Sequence, residues 1–249
     1  MQLRRLPGRW EQSCNYVQRT LLSVYDKWSV VTQRALTNAI KRGASQAELN
    51  NILTARLADL EGPLIIAQRA GIMRTSSIAL GGQLAEHANS HQVLKAISER
   101  IAESDKMVTQ ELLPAIRESV MNHIVQQGPA LDSIGIQATM DLQRSKVGWG
   151  SGNAWKAIFE TQKAALLTDE QEGKGVVPVE WVLDPQVTEH CHMDSKRGTF
   201  GCVDLAGIYP LGITSLPTLP AANVSCALNC KCWLRLSFDG GRTYHRITG

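Results

Sequence analysis

Cysteine is concentrated in one short part of this sequence, and that concentration limits how the C-terminal part can fold. Of the six cysteines, five lie between residues 191 and 232. They are Cys191, Cys202, Cys226, Cys230 and Cys232, and His190 and His192 flank the first of them. Thiol and imidazole groups gathered in one loop-rich stretch can share a metal ion. The sequence therefore predicts a metal-binding segment.

The segment between Asp184 and Cys232 is rich in Gly, Pro, Thr and Ser and has few long apolar side chains. Such a loop cannot bury enough surface to order itself, so it needs an external constraint. A Zn²⁺ ion with four protein ligands would supply one. The close pair Cys230 and Cys232 can give two ligands, while Cys191 and Cys202 come from the other end of the loop. Lys231 beside these thiols favours their thiolate form.

The spacing of the cysteines leaves several alternatives open. It is not the pair of Cys-x2-Cys motifs of a zinc ribbon. Cys226 is a fifth candidate ligand, and either His190 or His192 can replace Cys191. Disulfides formed outside the cell, or buried thiols without a ligand, are the non-metal alternatives. Cys14 lies far from this group, in an apolar helix seam, and is expected in a core.

Size and charge exclude several classes of protein. The chain has 249 residues, 43% of them hydrophobic, which is enough for a sizeable core. Its 26 basic and 23 acidic residues give a net charge of only +3, so the overall balance does not predict nucleic-acid binding. We identify no secretion signal and no apolar run long enough to cross a membrane. A cytosolic, reducing environment favours metal over disulfides.

The first two thirds of the sequence have helical periodicity. A first helix has a seam with steps of four and three residues that predicts one packed face. The seam residues are Trp10, Cys14, Val17, Leu21, Val24, Trp28, Val31 and Ala35. Gly43 is expected to end this helix. A second helix starts at Ser45 and ends before Gly62-Pro63, and a third runs from Pro63 to about His87 with a break near Gly81.

Further helices are predicted from Ser90 to before Pro114, from Pro114 to Gly128-Pro129, and from Ala154 to Leu167. The glycines at 145–153 predict a loop with Trp149 in a crevice. Residues 177–184 alternate like a strand, and 232–247 resemble a hairpin that turns at Asp239-Gly240-Gly241. The predicted fold class is α+β, with a helical domain at 1–147 and a small β-containing, metal-held module at 148–249.

No catalytic constellation is recognisable. The zinc deaminase pattern requires a His-x-Glu and a Pro-Cys-x-x-Cys that this chain lacks. Cys191 stands between two histidines, but neighbours on an extended segment point to opposite faces, which argues against a Cys-His pair. There is no phosphate-binding glycine loop. His87, His91 and His123 are expected in surface or hydrogen-bonded positions. We therefore expect no enzyme activity, no catalytic residue, no cofactor-binding residue and no small-molecule substrate.

The order of the C-terminal motifs resembles that of the Mu-type phage minor head proteins, also called head morphogenesis proteins. The matching residues are Trp181, Asp184, His190-Cys191, Cys202 to Tyr209, Leu216-Pro217, Pro220, Cys226, Cys230-Lys231-Cys232 and Leu234. The match covers roughly residues 150 to 236. Two departures are the ten residues between Cys191 and Cys202, and Phe159-Glu160-Thr161-Gln162 where the family often has Arg-Thr-Glu.

The resemblance implies a non-enzymatic virion protein, a minor capsid component that acts at or near the portal vertex in assembly, DNA packaging or DNA ejection. Its partners would be the portal and other head proteins, with contact to packaged double-stranded DNA and none to membranes. It would occupy the host cytoplasm first and the virion afterwards. The alternative function is a zinc-held nucleic-acid-binding protein. Its phosphate contacts would be Lys196, Arg197, Lys231, Arg235, Arg242 and Arg246.

Overall fold

The computed structural model describes residues 9–127, 133–185, 189–226, 230 and 232–246. Six helices come first: α1 (Arg9–Lys41), α2 (Gln46–Ala79), α3 (His91–Met107), α4 (Leu113–Gln127), α5 (Ser133–Trp149) and α6 (Ser151–Gln171). They are followed by β1 (Val179–Val182), the short α7 (Cys202–Leu205), β2 (Gly207–Tyr209) and β3 (Trp233–Leu236). The predicted α+β class is confirmed.

The chain forms two compact units that do not follow chain order. The first, here called the cysteine unit, comprises residues up to 14, residues 71–100 and residues from 152 onward. The second, the helical unit, comprises residues 15–70 and 101–151. The unit boundary nearest the predicted domain division at 147/148 thus lies at 151/152. All six cysteines belong to the cysteine unit.

The apolar seam of α1 is displaced from its predicted register. Leu21 and Trp28 are buried as expected, but Val31 is 48% exposed and the buried positions further on are Thr32 and Leu36. Steps of four and three average 3.5 residues, whereas a straight helix has 3.6 residues per turn, so a fixed 3.5 pattern drifts off the buried face. The predicted left-handed end at Gly43 is confirmed by its φ of 75°.

Two predicted helix breaks are absent. α2 runs through Gly62 and Pro63 without ending, because the flanking Leu60 and Leu64 are both fully buried and their packing compensates the hydrogen bond that proline cannot donate. The chain also stays helical at Pro114, where a π-helical turn (Val108–Leu112) joins α3 to α4. In contrast, the predicted break near Gly81 is confirmed: α2 ends at Ala79 and a 3-10 segment (Gly82–Asn89) follows.

The predicted loop at 145–153 is also wrong, because α5 and α6 are separated only by Gly150. A Cβ at Gly150 would lie 2.6 Å from Nε2 of Gln68, so the glycine permits close packing rather than a flexible hinge. The expected crevice for the Trp149 side chain lies outside the described residues, as do Gly128-Pro129, Lys231 and Ile247.

The small sheet is antiparallel, with the order β2-β1-β3. Val179 and Trp181 of the central strand point into the core, and Leu234 and Leu236 of β3 join them. Within the described residues up to 246, the predicted C-terminal hairpin forms only in part: Gly240 and Gly241 have positive φ, but a single bridge joins Leu236 to His245. β3 pairs with β1 instead, because that pairing buries the apolar side chains of both strands.

Candidate metal centre

The five clustered cysteines come from separate parts of the cysteine unit. Cys191 follows β1 in the long loop, Cys202 is the first residue of α7, and Cys226 lies in the next loop. Cys230 and Cys232 immediately precede β3. Cys202, Cys230 and Cys232 are buried and belong to the hydrophobic core of the unit, while Cys191 and Cys226 are partly buried.

The fold brings all five thiols together. Sγ of Cys226 lies 3.3 Å from that of Cys191 and 3.5 Å from that of Cys202, and Cys202 is 3.6 Å from Cys230. Two triads have all their sulfur atoms within 4.8 Å of one another: Cys191, Cys202 and Cys226, and Cys202, Cys230 and Cys232. Cys202 is the member they share. The clustered cysteines can therefore hold a metal ion.

The sulfur spacing matches tetrahedral metal coordination better than disulfide bonding. A Zn–S distance of about 2.3 Å with tetrahedral angles places neighbouring sulfur atoms roughly 3.8 Å apart. A disulfide requires about 2.05 Å. All five thiols are free. Separations of 3.3 to 3.6 Å are thus close to those of a thiolate shell around one ion.

Hydrogen bonds among the thiols shift the pKa values of several of these cysteines in different directions. The contact with Cys226 is the main reason that the pKa of Cys202 is raised far above its usual value, and contacts with Cys230 and Cys232 add to it. The same Cys202 contact lowers the pKa of Cys226 to about 5 and that of Cys230 below its usual value. Cys202 also lowers the pKa of Cys232, but Cys230 and burial outweigh it and raise that pKa. The cluster therefore favours the thiolate form at Cys226 and Cys230, and a metal ion requires deprotonated thiols as ligands.

Backbone contacts fix the loops that carry the ligands. The Cys202 amide donates to Sγ of Cys191 at 3.2 Å, and the Met193 amide donates to the Asp204 carboxylate at 3.0 Å. Gly201 allows this approach, because a Cβ there would lie 2.5 Å from backbone atoms of His192 and Met193. Such supporting contacts orient metal ligands before the ion binds.

The histidines beside Cys191 are not part of either triad among the described residues. His192 is exposed, and its carbonyl accepts a hydrogen bond from Ser225 Oγ at 2.8 Å. Cys14 is partly buried against the core of the cysteine unit, in agreement with its predicted core position. Of the seven candidate groups at positions 190–232, the structure therefore brings together the five thiols.

Several basic residues proposed for phosphate contact already have partners. Arg235 Nε donates to Glu180 at 2.6 Å, opposite it on the neighbouring strand, and the Arg197 guanidinium lies 3.5 Å from Asp194. The Arg246 guanidinium lies 4.7 Å from the centre of the Trp233 ring. The carboxylates offset part of the positive charge of Arg235 and Arg197, whereas the Trp233 contact orients Arg246 without neutralising it.

A second group of ionisable side chains was not predicted. His87, expected on the surface or in a hydrogen bond, is buried and bonded to Asp169, and Glu86 and Lys174 lie beside them. His87 and Asp169 are 82 residues apart in sequence. Because no local sequence pattern spans that distance, their contact in the fold could not be predicted from the sequence.

No helix in the described part of the chain combines the length and hydropathy of a membrane span. No family model, no curated protein and no solved structure matches the chain.

Proposed function

We propose that this protein is a non-enzymatic structural component of a tailed-phage head, in which one Zn²⁺ ion holds the long loop of the cysteine unit in place. The observation that carries the zinc part is the convergence of five thiols on Cys202. The head part rests on the order of the C-terminal motifs around those thiols.

Zinc is the ion that this ligand chemistry favours. Four soft thiolates in tetrahedral arrangement suit Zn²⁺, which has no redox chemistry and no geometric preference of its own. A site with four protein ligands leaves no position for a reactive water, so its role is structural. The lowered pKa values of Cys226 and Cys230 favour the thiolate form that binds a dication.

Five thiols compete for four places, and their arrangement suggests which are interchangeable. Cys202 belongs to both triads, whereas Cys191 and Cys232 each belong to one. Loss of a peripheral thiol still leaves four sulfur atoms in the cluster. Loss of Cys202 also leaves four sulfur atoms, but among the described residues only the contact between Cys226 and Cys230 then joins the two groups, so we expect this loss to disrupt the metal shell most.

Metal analysis of freshly reduced protein tests the zinc proposal. We expect one equivalent of zinc in the wild type and in Cys14→Ser, the matched control for a cysteine outside the cluster. Cys202→Ser should lose the metal, Cys191→Ser and Cys232→Ser should retain it with reduced affinity, and their double variant should lose it. Metal-free wild-type protein, or full zinc retention in Cys202→Ser, would contradict the proposal.

The head assignment implies specific partners and locations. The protein would join the procapsid in the host cytoplasm through contacts with portal and other head proteins, and would remain in the virion or leave with the DNA. The helical unit, with its near-neutral balance of charges, suits protein contacts better than DNA contacts.

Affinity purification of the portal from infected cells tests this assignment. The full chain should copurify with the portal and be detected in purified capsids, and Cys202→Ser should reduce its incorporation. A zinc-loaded protein that is absent from both portal complexes and capsids would refute the head function while leaving the zinc site intact.

Nucleic-acid binding by the cysteine unit has less support, because Arg235, Arg197 and Arg246 are already engaged within the protein. A protein that neutralises many phosphates shows a steep loss of affinity with salt, with a slope of about −0.9 per contact. We expect only a shallow slope on duplex DNA. A steep slope that Arg235→Gln and Arg242→Gln reduce would favour the alternative.

A further inference from the structure

A buried His-carboxylate group lies in the cysteine unit, in a separate place from the thiols. Glu86 and His87 belong to the 3-10 segment Gly82–Asn89, and Asp169 lies near the C-terminal end of α6. His87 is 3% exposed and Asp169 is 7% exposed, whereas Glu86 faces solvent. The group therefore has two fixed, desolvated members and one accessible member.

The ligand atoms of this group have the spacing of a metal shell. Nε2 of His87 lies 2.8 Å from Oδ1 of Asp169 and 3.5 Å from Oε1 of Glu86. All three atoms lie within 4.8 Å of one another. Two donors about 2.1 Å from an ion, at angles of 90 to 109°, are roughly 3.0 to 3.4 Å apart. Small adjustments would place the three atoms on one ion.

A cation already occupies the vicinity of these carboxylates. The ammonium group of Lys174 lies 2.8 Å from Glu86, 3.2 Å from Asp169 and 2.9 Å from Glu172. Three carboxylates around one ammonium leave an excess of negative charge among these four side chains. The Lys174 side chain is 43% exposed on a flexible stem, so it can move out to solvent.

Space for further ligands exists beside the group. Glu86, Asp169 and Lys174 line an open pocket of about 670 Å³. Gly82 and Gly175 also line it, and a Cβ at either position would meet no atom within 4 Å. Water molecules can therefore reach the accessible side of the group and complete an incomplete coordination shell.

We propose that His87 Nε2, Asp169 and Glu86 form a second metal site, which binds a divalent first-row ion of the Mn²⁺ or Zn²⁺ class when Lys174 swings away. One imidazole and two carboxylates are harder ligands than thiolates, so this site accepts Mn²⁺ far better than the cysteine cluster does. Lys174 acts as a built-in competitor, because its ammonium and the metal cannot both neutralise the same oxygen atoms.

Mn²⁺ is the probe that separates the two sites. Zinc-loaded full-length protein is titrated with Mn²⁺, and the free aqua ion is followed by its electron paramagnetic resonance signal. We expect one bound Mn²⁺ per chain. His87→Gln and Asp169→Asn should each weaken binding by at least about tenfold, as loss of one ligand of a small set implies. His91→Gln, a neighbouring exposed histidine outside the group, is the matched control and should leave the affinity unchanged.

The Lys174→Met variant gives the most direct test, because it keeps all three metal ligands and removes the competing ammonium group. We expect its Mn²⁺ affinity to rise at least about fivefold, a gain of roughly 1 kcal/mol. A group that serves only as an internal ion-pair network would show no Mn²⁺ binding in the wild type or in Lys174→Met, and that result overturns the proposal. Unchanged or weaker Mn²⁺ binding in Lys174→Met also overturns the proposal. This variant keeps all three ligands, so its result remains decisive even if His87→Gln or Asp169→Asn does not fold.

Discussion

The ion pair between Arg100 and Glu160 provides a quantitative test of how burial controls the cysteine unit. Arg100 Nε donates to Oε2 of Glu160 at 2.7 Å and Nη2 donates to Oε1 at 2.9 Å. The Arg100 side chain is 5% exposed and that of Glu160 is 24% exposed. The perturbation is Glu160→Gln, which keeps the size of the side chain and removes its charge.

The expected cost follows from the charge left behind. Glutamine retains one acceptor oxygen but cannot neutralise Arg100, which solvent hardly reaches. Removal of one partner of a buried pair costs about 3 to 5 kcal/mol. Since the remaining acceptor preserves one hydrogen bond, we expect a loss near 3 kcal/mol in the free energy of unfolding. With an m value of about 2 kcal/mol per molar urea, the midpoint falls by roughly 1.5 M.

Urea unfolding followed by tryptophan fluorescence measures this effect, because Trp155 and Trp181 are buried in the same unit. Glu180→Gln is the matched control. Glu180 also forms an ion pair with an arginine in the cysteine unit, but Arg235 is 40% exposed, so the expected cost is at most about 1 kcal/mol.

Two results would refute the reasoning. One is an equal loss in Glu160→Gln and Glu180→Gln, since burial would then not decide the cost. The other comes from the double variant Arg100→Met, Glu160→Gln. Because it also removes the Arg100 charge, it should be more stable than Glu160→Gln alone; Lys156, 3.7 Å from Glu160, loses that carboxylate in both variants and so does not affect the comparison. A double variant that is less stable would assign the loss to packing.

Three further predictions concern other parts of the chain. Burial, with help from Asp141 and Asp26, raises the pKa of Tyr25, so the helical unit should lose stability above about pH 10. The Tyr25→Phe variant lacks the hydrogen bond to the Met140 carbonyl and should be about 1 kcal/mol less stable at neutral pH, but it should not show the alkaline loss. Urea unfolding at neutral and alkaline pH measures both effects. Hydrogen bonds from Thr243 and Ser237 hold the pKa of Asp239 well below its usual range, so the ionised Asp239 stabilises the fold. At neutral pH, Asp239→Asn should therefore melt at a lower temperature than the wild type. The difference should shrink below about pH 4, where the carboxylate becomes protonated in the unfolded chain. A methyl group at position 201 would clash with the backbone of His192 and Met193, so Gly201→Ala should weaken zinc binding at least about tenfold in a chelator competition assay. Gly62→Ala is the control, because a methyl group there meets no atom within 4 Å and should leave zinc binding unchanged.

Features that depend on a few neighbouring residues were predictable from the sequence. Ser45 and Ser90 cap their helices by accepting hydrogen bonds from the amides of Glu48 and Val93. Gly43 adopts the left-handed conformation that ends α1. Each of these depends on residues three or four positions away, which is the range that a sequence pattern covers.

Features that depend on distant packing were not predictable in this way. Proline and glycine weaken a helix by local rules, but the buried leucines on both sides of Pro63 keep α2 continuous. Similarly, Gly150 meets Gln68, a residue from another helix, and nothing near it in sequence indicates this contact. Tertiary packing contributes more than intrinsic propensity at such positions.

The two groups of candidate ligands differ in the same respect. The five thiols lie within one stretch of sequence, so their residue type and density indicated a shared site before any contact was known. Which sulfur is central could not be predicted, because Cys202 lies 11 residues from Cys191 and 24 from Cys226, beyond the range of a local spacing pattern. The His87 group combines a 3-10 segment with the end of α6, so only the fold reveals it.

The burial of the thiols indicates what the proposed zinc ion contributes to the fold. Cys202, Cys230 and Cys232 lie in the same buried core cluster as Trp181 and Leu234. Their burial there does not need the metal. The long loop also packs apolar side chains into this core, contrary to the expectation that it cannot order itself: Leu205, Ile213, Leu216, Leu219 and Val224 are all buried. The proposed ion would therefore add to a loop that already packs against the core, and its contribution would be largest around Cys191 and Cys226, which are only partly buried.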